Sequence, residues 1–154
     1  QFNMAKLNLN TIFVSVFGIG FIPIASGTFG SLAGLIIGYI LNLINYNLFF
    51  IMIPVLFILG VIASNKYQKL TGEKDSSVIV VDEVVGQLIA MMFVMDNLIL
   101  VFISFIIFRI FDIFKPWPAS YADTKMIGGL GVMLDDVFAG IYAAILICFI
   151  GYLI

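Results

Sequence analysis

Six apolar stretches, at 11–25, 31–45, 47–65, 84–95, 98–114 and 137–154, alternate along this chain with short polar segments. A helix that crosses a bilayer needs ~20 apolar residues for a ~30 Å hydrocarbon core. The stretches 47–65, 98–114 and 137–154 meet or approach that length, and 31–45 does so if it extends through the neighbourhood of Asn47. Residues 84–95 are too few alone, but a helix starting near Ser77 gains a turn that carries Asp82 and Glu83 at the membrane surface. The stretch 11–25 is broken by Gly18, Gly20 and Pro23, which predicts an interfacial or re-entrant helix rather than a span. The pattern predicts an all-α integral membrane bundle, one domain over 1–154, with about five transmembrane helices plus that N-terminal helix.

Composition agrees. The chain is 63% hydrophobic and 10% charged, far from the balance of a water-soluble globule. Its net charge of −2 offers no electrostatic case for nucleic acid. The single cysteine, Cys148, lies deep in the last apolar stretch and excludes an internal disulfide. No cleavable signal peptide is expected, and residues 1–10 read as a trimmed or tagged start carrying only Lys6.

Charge placement orients the bundle. Lys66, Lys69 and Lys74 follow the second span, Arg109, Lys115 and Lys125 surround the end of the fourth, and Lys6 precedes the first. The turns at Asn45-Tyr46-Asn47 and Asp96-Asn97 hold no basic residue. Five spans with the N-terminus inside put every Lys and Arg on the cytoplasmic side, and every acid except Asp96 with them. An even number of spans is the rival arrangement and requires 11–25 to cross. The loop Ser26–Ser31 leads into the first span, with Thr28 or Ser31 as its cap. The prolines Pro116 and Pro118 stop the fourth helix, and Trp117 suits the membrane boundary.

The acids carry the candidate chemistry. Asp82 and Glu83, neighbours on a helix, point ~100° apart and reach one ligand only if it lies between helices. Gly86, one turn on, allows a second helix to approach. An acidic first turn favoured by the macrodipole is the bland account, but acids this near hydrocarbon are costly and usually have partners. Arg109, Asp112 and Lys115 form an i, i+3, i+6 stripe whose neighbours can pair, and a guanidinium at 109 is shaped to hold two phosphate oxygens. Asp135-Asp136 opens the last span, where a helix cap explains one acid better than two. Asp123 alone is a weak signal, as is the run Gly128-Gly129-Leu130-Gly131, whose N–H groups could approach a phosphate. With no histidine and no activated cysteine, carboxylate-held Mg²⁺ that activates water is the route to phosphoryl transfer that remains.

The segments VVDEVVGQ (80–87), FRIFDIFKPWPA (108–119), GGLGVMLDDVFAGIYA (128–143) and IPIASGTFGSLAGL (22–35) together resemble the phosphatidylglycerophosphatase A family. The likeness covers nearly the whole chain in the family's order, and the tract around Lys115-Pro116-Trp117-Pro118 is its most specific part. Ser26, where the family often has proline, and Val81, where some members carry a bulkier residue, depart from the pattern at positions that bear no charge. The resemblance implies Mg²⁺-dependent hydrolysis of phosphatidylglycerophosphate to phosphatidylglycerol and phosphate, at the cytoplasmic side of the bacterial inner membrane. It places Asp82, Glu83, Asp112, Asp123, Asp135, Asp136, Arg109, Lys115 and Thr28 on the family's motif positions, with Asp75 where the family often has an acid. The roles expected are catalysis by Asp82, Glu83, Asp112, Asp135 and Asp136, and metal binding by Asp82, Glu83, Asp123, Asp135 and Asp136. Arg109, Lys115, Thr28, Gly128 and Gly129 are expected to bind substrate. Two other readings stand beside it: a divalent-ion carrier, which expects acids spread through the membrane depth, and a CDP-alcohol phosphotransferase, whose Asp-Gly-x-x-Ala-Arg signature is absent. Homo-oligomerisation stays open, since five short helices can use a second copy to bury their polar edges.

Overall fold

The computed structural model describes residues 8–154, and among them every regular element is helical. Lys6 and the start of the N-terminal segment lie outside the described residues. The order is α1 (Leu9–Val14), a short 3₁₀ turn (Ile19–Phe21), α2 (Ser26–Ile44), α3 (Tyr46–Thr71), α4 (Val81–Met91), α5 (Leu98–Phe114), α6 (Ala119–Lys125) and α7 (Gly129–Leu153). Three of these, α2, α3 and α7, are long and apolar enough to cross a membrane. At 17 residues α5 falls just short of them, and α4 has only 11.

Several expected boundaries move, each for a local reason. The first long helix begins at Ser26, so Thr28 and Ser31 lie inside it and Ala25 takes the N-cap with no side-chain bond. It does not run on through Asn47. Asn45 turns the chain, and its carboxamide oxygen accepts from the N–H groups of Asn47 and Leu48 to cap α3. Asn97 does the same for α5. The α4 helix starts at Val81 rather than near Ser77, because Val80 N–H is taken by Val14 O of the N-terminal segment. The last helix starts eight residues earlier than its apolar stretch. Asn65 of α3 accepts from the Gly129 N–H at 2.7 Å, so the glycine run forms the first turn of α7 instead of a loop, and Asp135 is no cap.

The arrangement centres on α4. Almost every residue of this short helix is buried by protein, against α2, α5 and α7. Gly30, Gly34 and Gly38 of α2 face Val80, Val84 and Leu88 in that order, so α2 and α4 run parallel. Gly86 of α4 meets Gly140 of α7 backbone to backbone: a Cβ on Gly140 would lie 2.5 Å from Gly86 O. In lipid, close backbone approach through small residues replaces the hydrophobic drive between helices. A buried bond from Gln87 Nε2 to Ser104 Oγ, 3.3 Å, ties α4 to α5. The N-terminal ends of α2, α4 and α7 and the C-terminal end of α5 thereby gather at one end of the bundle, while Asp96 is exposed at the opposite turn.

Candidate functional site

The first turn of α4 and the second of α7 build the acidic centre. With Gly86 packed on Gly140, Asp136 is brought over Asp82 and Glu83, and one carboxylate oxygen from each of the three lies within 4.8 Å of the others. Adjacent Asp82 and Glu83 share a ligand volume only because it sits between two helices. Asp112 of α5, also buried, acts coulombically on all three.

Buried carboxylates need partners. Here Asp82 Oδ1, Glu83 Oε2 and Asp136 Oδ2 are buried and accept no hydrogen bond from protein. Like-charged carboxylates held this close, each with an unpartnered oxygen, are costly unless a cation joins them. Three hard oxygen donors from two helices fit Mg²⁺, which takes few protein carboxylates and retains water and phosphate in its other positions.

Cationic groups flank this centre on two sides. On α5, Arg109 pairs with Asp112 through Nη1, which also donates to Ser31 Oγ of α2 at 3.3 Å. Ser31 is fully buried and in turn donates to Gly27 O at 2.8 Å. The Arg109 Nε–H is buried and unused. Gly27 leaves a notch: a Cβ there would stand 2.5 Å from Glu83 Oε1 and 3.1 and 3.2 Å from the two terminal nitrogens of Arg109. The space between a carboxylate of the acidic centre and a guanidinium is thus kept open by the missing side chain.

On the other side Lys115 leaves the stripe with Asp112. It caps α5 at φ +44, a left-handed conformation that favours glycine, and its Nζ reaches Asp123 at 2.7 Å and Asp135 at 2.6 Å. A lysine in a glycine conformation makes sense where its side chain is required. Burial pulls its pKa down, but the hydrogen bonds and charges of Asp123 and Asp135 outweigh that, so the net shift is upward and the ammonium stays charged.

Of the expected metal ligands, then, Asp82, Glu83 and Asp136 are brought together, while Asp123 and Asp135 stand one layer out on Lys115. Asp123 sits on α6, which packs on α7, and is exposed. Thr28 lies half-buried in the first turn of α2 beside Gly27. Gly128 is the N-cap of α7 at φ +81, and the Gly129 N–H is spent on Asn65. Asp75 is exposed, in a small polar cavity that also takes in Asp123 and Gly128. Ser31 and Gly27 were not among the expected site residues. A small residue before an apolar helix carries little signal, since only the fold shows what it faces.

A family model described as phosphatidylglycerophosphatase A matches residues 12–151. Phosphatidylglycerophosphatase A of Escherichia coli (strain K12) is 36% identical over 137 residues, covering 88% of this chain and 80% of that protein. The protein of the same name from Haemophilus influenzae (strain Rd) is 41% identical over 138 residues, 88% of this chain and 85% of the relative. A Bacteroides thetaiotaomicron protein provisionally named a phosphatidylinositol-3-phosphatase is 42% identical over 139 residues, 85% and 86% of the two chains. No solved structure gives a significant match.

Proposed function

This chain belongs to the phosphatidylglycerophosphatase A family, and we propose that it hydrolyses the terminal phosphomonoester of phosphatidylglycerophosphate, with Mg²⁺, at the cytoplasmic face of a bacterial inner membrane. The observation that carries the reading is the convergence of three carboxylates, each with a buried unpartnered oxygen, at the end of the bundle where Arg109 keeps an unspent guanidinium N–H.

Asp82, Glu83 and Asp136 would hold the metal. When bound it supplies charge neutralisation for the phosphoryl oxygens and a water of lowered pKa. The chain's own groups do the rest. Arg109 is held by Asp112 and Ser31 with its terminal nitrogens beside Gly27, where its guanidinium would bind a phosphate oxygen and neutralise charge as it develops. Water adds to phosphorus as the bond from phosphorus to the glycerol oxygen breaks. A carboxylate outside the metal set, Asp112 or Asp135, takes one proton from the water and passes it to the departing glycerol oxygen, leaving phosphatidylglycerol and inorganic phosphate. Lys115, charged between Asp123 and Asp135, adds positive potential at the rim.

Five passes account for the directions of the helices. Helices α3 and α5 both run toward the end of the bundle where α2, α4 and α7 begin, so direction alternates from α2 to α7 only if α4 crosses between them, and its 11 residues, about 16 Å at 1.5 Å per residue, make a short pass sheathed by protein. The basic residues of the loops then face the cytoplasm, as the positive-inside bias requires. A carrier would place acids along the membrane depth, whereas the buried acids gather at one end.

Phosphate release from phosphatidylglycerophosphate, measured on the purified chain with EDTA and after Mg²⁺ is restored, tests the reading. Release should stop and recover. Turnover that ignores EDTA removes the metal, and a tenfold preference for phosphatidylinositol 3-phosphate reassigns the substrate to the class named for the Bacteroides relative.

Ser31→Ala should lower kcat/KM about tenfold, since it loosens Arg109 without touching the acids. The unchanged Mg²⁺ dependence of the remaining activity separates this from damage to the metal site.

A further inference from the structure

We propose that the cleft between α1, α2, α3 and the start of α4 is a slot for one acyl chain of the lipid whose phosphate is cleaved. The inference rests on the hydrolase reading above. The cleft holds about 360 Å³ and every side chain lining it is apolar. That size is in the range of ligand pockets, which run from roughly 300 to 1,000 Å³.

Continuity with the acidic centre identifies the occupant. Val81 and Val84 of α4 line the cleft, and between them in sequence Asp82 and Glu83 enter the acidic centre. One helical turn therefore divides a polar face from an apolar one. From there the cleft runs along Ile37 and Leu41 of α2 and Met52 and Leu56 of α3. Gly30 of α2 is level with Val80, so Ile37 and Leu41 lie seven to eleven residues further along the helix, roughly 10–16 Å deeper at 1.5 Å per residue. An acyl chain hanging from a headgroup held at the acids takes that direction.

The front wall is the N-terminal segment. Asn10 Nδ2 donates to Ala63 O at 3.0 Å and Val14 O accepts from Val80 N at 2.9 Å, which fastens α1 across the cleft. After α1 the chain passes through Val16 at φ +47 and Phe17 at φ +57, which leaves the Phe17 ring exposed at the cleft's edge. Two successive non-glycine residues in the left-handed region are strained, and here the strain sets an apolar side chain at a lipid-facing mouth. The slot explains why an interrupted stretch with so short a helix is nonetheless rich in apolar side chains.

The test uses the full chain in bilayer discs, with phosphatidylglycerophosphate carrying either long or short acyl chains. Leu41→Trp and Met52→Trp should each raise KM for the long-chain lipid about tenfold, the loss expected when about two methylene groups lose their burial, with kcat and short-chain turnover unchanged. Equal shifts for both lipids, or none, overturn the slot. A second readout needs no variant: phosphatidylglycerophosphate bearing a photoreactive group far down one chain should label residues 37–41 and 52–56 of the unmodified protein. Excess unlabelled phosphatidylglycerophosphate should suppress that labelling and phosphatidylethanolamine should not. Labelling spread over outward residues such as Ile58, Ile62 and Ile145, or suppressed equally by both lipids, means bulk lipid fills the cleft and sinks the proposal. Failure of the unmodified chain to hydrolyse either lipid is a different result, and it strikes the hydrolase reading itself.

Discussion

Asp136→Asn is expected to reduce phosphate release about a thousandfold and, measured in EDTA, to leave the protein at least as stable as before. The loss follows from the site's charge: a carboxamide offers Mg²⁺ one neutral oxygen in place of an anionic one, and metal stabilisation of a phosphoryl transition state is worth several kcal/mol, with ~1.4 kcal/mol for each factor of ten. The gain has the same origin. Asp136 is buried with Oδ2 unpartnered, and one of its oxygens lies within 4.8 Å of oxygens of Asp82 and Glu83. An amide NH₂ there can donate to its acidic neighbours and removes one of the converging charges. In EDTA the melting temperature should hold or rise, and the increase that Mg²⁺ confers on the unmodified protein should vanish. A variant that still gains thermal stability from Mg²⁺ and still turns over would show the metal held elsewhere. Asp123→Asn is the matched contrast, because this exposed acid meets Lys115 rather than the acidic centre. Its activity should fall by no more than about tenfold, the scale of a supporting residue.

That contrast marks how far the sequence could be read. The Asp82-Glu83 pair and Gly86 one turn later were legible together: adjacent acids share a ligand only between helices, and a glycine on that face lets a helix come close. The pairing of Arg109 with Asp112 followed from i, i+3 spacing. Hydropathy located the long helices and both ends of α5, but misplaced the starts of α2 and α7 and the end of α3, because ends are decided by who accepts or donates the last hydrogen bonds. Asn65 lies 64 residues before Gly129, and no local pattern announces that its side chain will turn a glycine-rich run into the first turn of α7. This shift matters for the site. It puts Asp135 and Asp136 in the second turn, one facing Lys115 and the other Asp82 and Glu83, so that a doublet read as a helix start is two different components.

The sorting of the acids was also beyond spacing. Asp123 and Asp135 carry the same charge as Asp136, and the family resemblance places all three among the metal ligands. The separation comes from Lys115, whose left-handed backbone swings the ammonium out of the α5 stripe and toward α6 and α7. Ser31, read only as a possible helix cap, and Gly27 gave no sign of a place in the site for the opposite reason: they are small, and their contribution is room and one hydrogen bond.

Gly140→Ala is the substitution that most directly tests whether backbone contact builds the site. Its Cβ would stand 2.5 Å from Gly86 O and 3.2 Å from Gly86 C and Cα, all backbone, so α7 must move away from α4. Overpacking of this kind costs about 1–3 kcal/mol. The effect on catalysis should be larger in proportion, because Asp136 lies on α7 one turn before Gly140, while Asp82 and Glu83 lie one turn before Gly86 on α4. Separation of the two glycines therefore separates the ligand set, and a misplacement of about 1 Å can cost a hundredfold in rate. Gly151→Ala, on the same helix, supplies the control. Its Cβ meets only the end of the Leu100 side chain at 3.2 Å, which can rotate aside, so stability should change by less than about 0.5 kcal/mol and activity hardly at all. Thermal unfolding in detergent with phosphate-release kinetics distinguishes the two variants. If Gly140→Ala retains full activity, the acids are not positioned by this contact, and an Mg²⁺ concentration for half-activation at least tenfold above that of Gly151→Ala is the signature that they are.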